Sequence, residues 1–300
     1  MKPEKDEIAA WFRQLQLDIC SELEAEDELA KFAEDRWERD GGGGGLTRVI
    51  QAGNVFEKGG VNFSAVHGTL NENMVKALGV GSDQFYATGV SIVIHPINPF
   101  VPIIHMNVRY FELADGTYWF GGGIDLTPHY VNEKDARFFH ECLKETCDRF
   151  DPDHYAKFKA WADDYFYIKH RKETRGIGGI FFDKLKSDGN RSKEKVWNFV
   201  KAVGETFAPT YRKLVSGNKQ RPFEQSNVEW RNLRRGRYVE FNLVYDKGTK
   251  FGLETDGRIE SILMSLPNHA SWYYNFQPSG NSLELQTLRS LKKGIDWASN

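Results

Sequence analysis

Residues 87–128 read ATGVSIVIHPINPFVPIIHMNVRYFELADGTYWFGGGIDLTP, and the alternation inside this stretch decides the fold. A strand sends successive side chains to opposite faces. In 103–111, Ile104, Met106, Val108 and Tyr110 therefore share one face, while His105, Asn107 and Arg109 share the other. The segment before it repeats the pattern, with Val90, Ile92 and Ile94 on one side and Gly89, Ser91, Val93 and His95 on the other. Between the two, HPINPFVP carries three prolines, which cannot donate ladder hydrogen bonds and bias their predecessors to extended backbone; it reads as an irregular connection between neighbouring strands. A third strand, 116–120, runs into three glycines and then Asp125. Close backbone approach is what such glycines permit, so GGGIDLTP reads as a strand end delivering a carboxylate to a ligand-facing rim.

Working outward, residues 6–37 place Phe12, Leu15, Ile19, Leu23, Leu29, Phe32 and Trp37 at roughly helical spacing, predicting one or two amphipathic helices. Gly41 to Gly45 lack the Lys-Ser/Thr or dinucleotide spacing of a phosphate loop and are read as a mobile loop. Segments 47–55 and 61–66 look like strands of a meandering antiparallel sheet. Asn132 is a helix cap for a helix with Phe139, Leu143, Thr146 and Phe150 on one face. A further helix is expected over 153–169, a short strand over 176–183, and a long helix over 193–216 that Pro209 should kink. In the last third, 238–245, 251–253 and 259–265 have strand composition, with Asp246-Lys247-Gly248 and Asp256-Gly257 as turns, predicting a hairpin array. No linker divides the 300 residues. One α+β domain, helices packed on a large antiparallel sheet, is the expected architecture, with the N-terminal 1–40 helical.

Composition narrows the function. Hydrophobic residues are 40% and aromatics 14%, which excludes a disordered chain, and a net charge of −2 argues against a general nucleic-acid footprint. Cys20, Cys142 and Cys147 form no CxxC pair and no disulfide framework, pointing to a reducing compartment. No segment approaches the ~20 apolar residues of a membrane span, and the acid-rich opening MKPEKDEIAAWF resembles no targeting peptide; a cytoplasmic protein is expected.

Three sets of side chains invite chemistry. His95, His105, His140 and His170 suit a transition metal by type, but their spacing is weak, and His105 stands out because it shares its strand face with Asn107 and Arg109. Arg109, the run Arg231, Arg234, Arg235, Arg237, and Arg258 offer planar donors for carboxylates; for the run, a solvated loop with ion pairs is the equal alternative. Asp125, behind its glycines, is read as a carboxylate that stabilises developing positive charge.

On these residues the chain resembles a known family. ATGVSIVIHPINPFVPIIHMNVRYFE, WFGGGIDLTPHY, DDYFYIKHRKETRGIGGIFFD, RRGRYVEFNLVYDKGTKFGLETDGRIESILMSLP and VFEKGGVNFSAVHG closely resemble, in order, the oxygen-dependent coproporphyrinogen III oxidases. The resemblance implies oxidative decarboxylation of two propionates of coproporphyrinogen III to vinyls, giving protoporphyrinogen IX in haem biosynthesis, with O₂ consumed. It also implies a flat antiparallel sheet with helices on both sides, no organic cofactor, a doubtful divalent metal, and a homodimer with contacts around 238–272. By position it assigns substrate contacts to Ser91, Asn107, Val108, Arg109, Asp256, Gly257 and Arg258, a proton donor to His105, and pyrrole nitrogens to Asp125. His95, His105, His140 and His170 fall on positions proposed as metal ligands. Ala65 and Asp256 depart from the family pattern, where a His and a Gly are expected. A metal-dependent oxygenase using His95, His105 and Asp125, and a non-catalytic tetrapyrrole carrier, are the rival readings.

Overall fold

A computed structural model describes residues 3–189, 191–254 and 257–299. In chain order its elements are α1 (Lys5–Asp27), β1 (Ala33–Glu38), β2 (Gly43–Gln51), β3 (Phe56–Thr69), α2 (Glu72–Leu78), β4 (Gln84–Pro96), β5 (Ile103–Leu113), β6 (Tyr118–Thr127), α3 (Glu133–Asp148), α4 (His154–Tyr165), β7 (Tyr167–Ile168), β8 (Glu173–Thr174), β9 (Gly178–Leu185), α5 (Lys193–Asn218), α6 (Gln225–Val244), α7 (Lys247–Glu254), α8 (Ile259–Leu263) and α9 (Leu283–Ser290). The alternating stretches are β4 and β5, and the expected third strand is β6, which runs on through the three glycines to Thr127; the three lie side by side in an antiparallel sheet ordered β1-β2-β3-β4-β5-β6-β9. Six strands follow one another as a meander, and only β9 returns after two helices to close the edge against β6.

Burial gives the two faces different roles. Val90, Ile92, Ile94, Ile104, Met106, Val108, Tyr110, Phe120 and Ile124 are fully buried against α1, α3 and α5, in the main core with Phe12, Phe139, Val200 and Phe207. Helices also cover part of the opposite face. There Tyr238 of α6 packs on Val93 and Ile103, and Phe241 joins Phe166 and Ala162. The expected α+β architecture is therefore present, with Asn132 capping α3 by accepting from the amides of Lys134 and Asp135. The Ser192 hydroxyl caps α5, which runs on through Pro209.

Three expectations are corrected. The N-terminal helix stops at Asp27 because Glu28 turns left-handed (φ 66°). The Asp27 carboxylate then gathers the amides of Ala30, Asn54, Val55 and Phe56 at 2.9–3.0 Å, so Phe32 and Trp37 belong to a loop and strand β1. Gly43, Gly44 and Gly45 are not a mobile loop but strand residues of β2, Gly43 paired with β3 and Gly44 and Gly45 with both β1 and β3. At Gly45 a Cβ would stand 2.3 Å from the Trp37 ring, so glycine makes room for that indole.

The third correction is the largest. The C-terminal third is helical, not a hairpin array: 238–245 ends α6, 251–253 lies in α7 and 259–263 is α8. Short apolar runs satisfy both periods, and the side chains buried here follow the helical one, with Trp230, Arg234, Tyr238 and Phe241 on one side of α6. Asp246 caps α7 by accepting from the Thr249 amide at 2.7 Å instead of opening a hairpin. Asp256, half of the second expected turn, lies outside the described residues.

Candidate active site

The face opposite the main core is organised by cross-strand register, since antiparallel partners share a side. One row runs Asp35, Thr47, Asn62, Ser91, Asn107, Gly123. The next runs Gly45, Ser64, Gly89, Arg109, Gly121, and on the other side lies Gly60, Val93, His105, Asp125. Small and polar residues thus pave a floor that Ser91 and Asn107 cross at its centre. From strand rise and spacing, His105 and Arg109 are roughly 13 Å apart along β5, and β2 lies roughly 14 Å from β5 across the sheet.

At one end, His105 Nδ1 lies 2.7 Å from Asp125 Oδ1. A carboxylate only accepts, so Nδ1–H donates and the neutral ring keeps Nε2 as an acceptor. Asp125 is 1% exposed, and Arg175 Nη2 sits 2.8 and 2.7 Å from its two oxygens. Burial alone would raise the Asp125 carboxyl, but the Arg175 guanidinium and the His105 ring outweigh it and hold it below the usual carboxylate range. Arg175 itself is boxed by the rings of Phe166, Tyr238 and Phe241, 4.3–4.8 Å from its central carbon, and its Nη1 donates to Asn242 Oδ1 at 3.0 Å.

Arginines bound the floor elsewhere. Arg109, on the His105 side of β5, donates to Asn107 Oδ1 at 2.7 Å and to Asp183 Oδ1 at 2.9 Å, and it remains 37% exposed. Arg258, at the start of α8, donates to Ser261 Oγ at 3.1 Å and pairs with Asp35. Because Asp35 and Thr47 belong to the central row, Arg258 closes that row from the far side. Gly257, before it, donates its amide to Gly252 O at 2.8 Å.

Not every expected residue joins them. Val108 is fully buried on the core face, so its side chain cannot contact a ligand on the floor. Ala65 also lies on that side of β3, out of register with Asn62 and Ser64. The four histidines do not converge. His140 is tied to Tyr155 Oη and Ile177 O, His170 to Tyr245 Oη and Glu240, and buried His95 donates Nε2–H to Ser265 O at 2.8 Å. Among the described residues no cluster of three His, Cys, Asp or Glu is placed to hold a metal. The run Arg231 to Arg237 is neither a loop nor a free anion site. It lies in α6, where Arg235 is completely buried and bonds Glu57 and Pro96 O, Arg231 bonds Ile97 O, Arg234 meets Glu173 at 2.9 Å, and Arg237 meets Glu240 at 3.1 Å.

Sequence reasoning missed Arg175, Asn242 and Asp183. Only pairing could have flagged them: Arg175 precedes the glycine-entered strand that registers Gly179 against Asp125.

A model of the coproporphyrinogen III oxidase family matches residues 7–297. The chain belongs to this family. Its similarity to individual members of the coproporphyrinogen III oxidase family is even across kingdoms. It is 51% identical over 298 residues to the oxygen-dependent coproporphyrinogen-III oxidase of Drosophila melanogaster, covering 95% of this chain and 76% of that one. It is 52% identical over 296 residues to the mitochondrial oxidase of Homo sapiens, covering 94% and 64%. To the chloroplastic oxidase of Glycine max it is 48% identical over 300 residues, covering 95% and 77%. No helix among the described residues is long and apolar enough to cross a membrane.

Proposed function

We propose that this chain is an oxidoreductase that converts coproporphyrinogen III to protoporphyrinogen IX with O₂ as co-substrate, a step of porphyrin biosynthesis. The observation that carries the reading is the sheet face on which Ser91, Asn107 and Arg109 stand side by side, bounded by Arg109 and Arg258 and by the His105–Asp125 pair. A flat macrocycle with carboxylate arms matches it. Arg109 and Arg258 take propionate carboxylates, for which the Asp183 and Asp35 carboxylates now stand in. Ser91 and Asn107 offer polar contacts at the centre.

Each turnover removes CO₂ from a propionate carboxylate and one hydrogen from its β-carbon, and the two electrons released pass to O₂. Pyrrole rings are electron-rich, and drawing on their N–H makes them more so. Both oxygens of Asp125 are occupied and the side chain is covered, so the direct pyrrole contact expected of Asp125 gives way to one through His105. Its Nε2 accepts the N–H proton and returns it to the pyrrole nitrogen once the vinyl has formed, while the reduced oxygen leaves as H₂O₂ with the β-hydrogen and one proton from solvent; this makes His105 the catalytic residue. No organic cofactor and no metal is required in this scheme.

The reading includes a homodimer. Leu243, Val244, Leu253 and Ile259, within the expected contact segment, are 44–58% exposed, and α6 adjoins α7, which adjoins α8. Anaerobic mixing of chelator-treated protein with coproporphyrinogen III, followed by admission of air, tests the chemistry. Product that forms only with O₂ and without added metal is expected. Tight binding without product would make the chain a carrier, and activity restored by one metal only would make it a metal-dependent oxygenase.

A further inference from the structure

Arg175 is an unusual group to find beside a histidine that works on substrate. Its side chain is 2% exposed, it carries a full charge, and its nearest surroundings are three aromatic rings. Burying such a cation is costly unless it is paired. A single amino group, Nη2, spans both oxygens of Asp125, Nη1 reaches Asn242, and Nε has no partner among the described residues. Asp125 Oδ1 therefore receives two donors from opposite partners, Arg175 and the His105 ring. The carboxylate is shared between a permanent cation and an imidazole that can be charged or neutral.

We propose that Arg175 is a positioning residue of the site: by holding Asp125 ionised and sharing its charge, it fixes the His105 tautomer and leaves that ring free to take up and release a proton. Without Arg175, His105 would be the only positive partner for a buried carboxylate, and the pair would bind its proton too tightly to give it back. Asp125 without any cation would itself be neutralised by burial. The other titratable groups facing this cluster are Tyr238 of α6, Asp246 beyond its end, Tyr165 of α4 and His95 of β4; burial pushes the Tyr238 phenol up, so it meets Arg175 as a neutral ring, Asp246 acts on Arg175 by charge, and Asp246 is already bonded to Tyr165 Oη at 2.8 Å. None of them contacts the Asp125 oxygens.

The inference rests on His105 acting on the substrate, and its test separates the two. The His105 ring proton is followed by NMR through a pH titration in wild type, Arg175→Gln and Arg175→Lys, each checked for wild-type circular dichroism, and kcat/KM is measured over the same pH range. In R175Q the Asp125–His105 pair should hold its proton to a midpoint about 1–3 pH units higher, and the acid limb of kcat/KM should move with it. R175K, which keeps the charge but not the second hydrogen bond, from Nη1 to Asn242, that anchors the group, should fall between. A folded R175Q whose His105 titrates as in wild type overturns the proposal, and if R175Q does not fold, an unchanged midpoint in R175K does so. A shifted NMR titration with an unmoved pH profile upholds Arg175 as the positioning group and removes His105 from the chemistry instead.

Discussion

The two faces of β5 carry opposite tasks on one backbone. Ile104, Met106, Val108 and Tyr110 are all 0% exposed, and each contributes roughly 1.5–3 kcal/mol through burial. His105 and Arg109, interleaved with them, keep 22% and 37% of their side chains exposed and make polar bonds. The core side fixes where the strand runs, and the strand in turn fixes the spacing of the site side chains, so the pocket floor needs no ordering when a ligand arrives. Stability and function are thereby separated by a single residue step, and substitutions on either face should report on one property and spare the other.

The largest effect is expected on the core side. Phe120 of β6 lies 4.9 Å from the Tyr110 ring and stacks on Trp197 of α5 at 5.6 Å, so Phe120→Ala should cost about 3–5 kcal/mol of unfolding free energy. Denaturant titration measures it, and KM for the folded fraction should be unchanged; a raised KM would mean that the faces are coupled. Arg109→Ala is the mirror experiment. An unpaired substrate carboxylate costs about 2–5 kcal/mol, so KM should rise at least tenfold with the unfolding midpoint unmoved. An unaltered KM would remove Arg109 from the clamp.

Gly121 sharpens the comparison because it faces the floor yet is conformationally ordinary. A Cβ there would stand 2.6 Å from Asp183 Oδ1 and 2.8 Å from the Arg109 guanidinium carbon. Gly121→Ala should therefore push Arg109 off Asp183, costing about 1–3 kcal/mol by overpacking and raising KM less than Arg109→Ala does. Equal effects of the two variants would show that the position of Arg109, not its charge, is what matters.

How far the sequence could be read follows the same division. β4 and β5 were legible because one side of each is largely apolar and the other is not, which leaves a period of two in the letters, whereas only the start of β6 was read, its glycines hiding the rest of the strand. His105, Asn107, Arg109 and Ser91 were found for that reason, and all four do share the floor. α6 leaves no such trace. It buries Arg231, Arg234 and Arg235 as well as Trp230 and Tyr238, so polar and apolar letters do not separate by face, and a run of arginines reads as surface. Arg175 was hidden by a related effect, since its buried partners Asp125 and Asn242 stand 50 and 67 residues away and only the fold brings them together.

The smallest effect tests how the partly covered side is held. Glu240 of α6 accepts from His170, Arg171, Arg237 and Trp272, tying α6 to the turn between β7 and β8. Burial opposes its charge, but the Arg171 and His170 hydrogen bonds prevail and pull its carboxyl down to about 2. A carboxyl lowered by folding binds its proton more weakly in the folded than in the unfolded chain, so its stabilisation is complete above the unfolded value of about 4.3 and disappears as pH falls through about 2. Several partners are well exposed, which limits the gain to about 1 kcal/mol. Glu240→Gln should lower stability by that much at pH 7, and wild type and variant should converge between about pH 4.3 and pH 2. A gap that stayed constant with pH would mean that Glu240 acts by shape and not by charge, and the helical cover would then be held by packing alone, as the core face is.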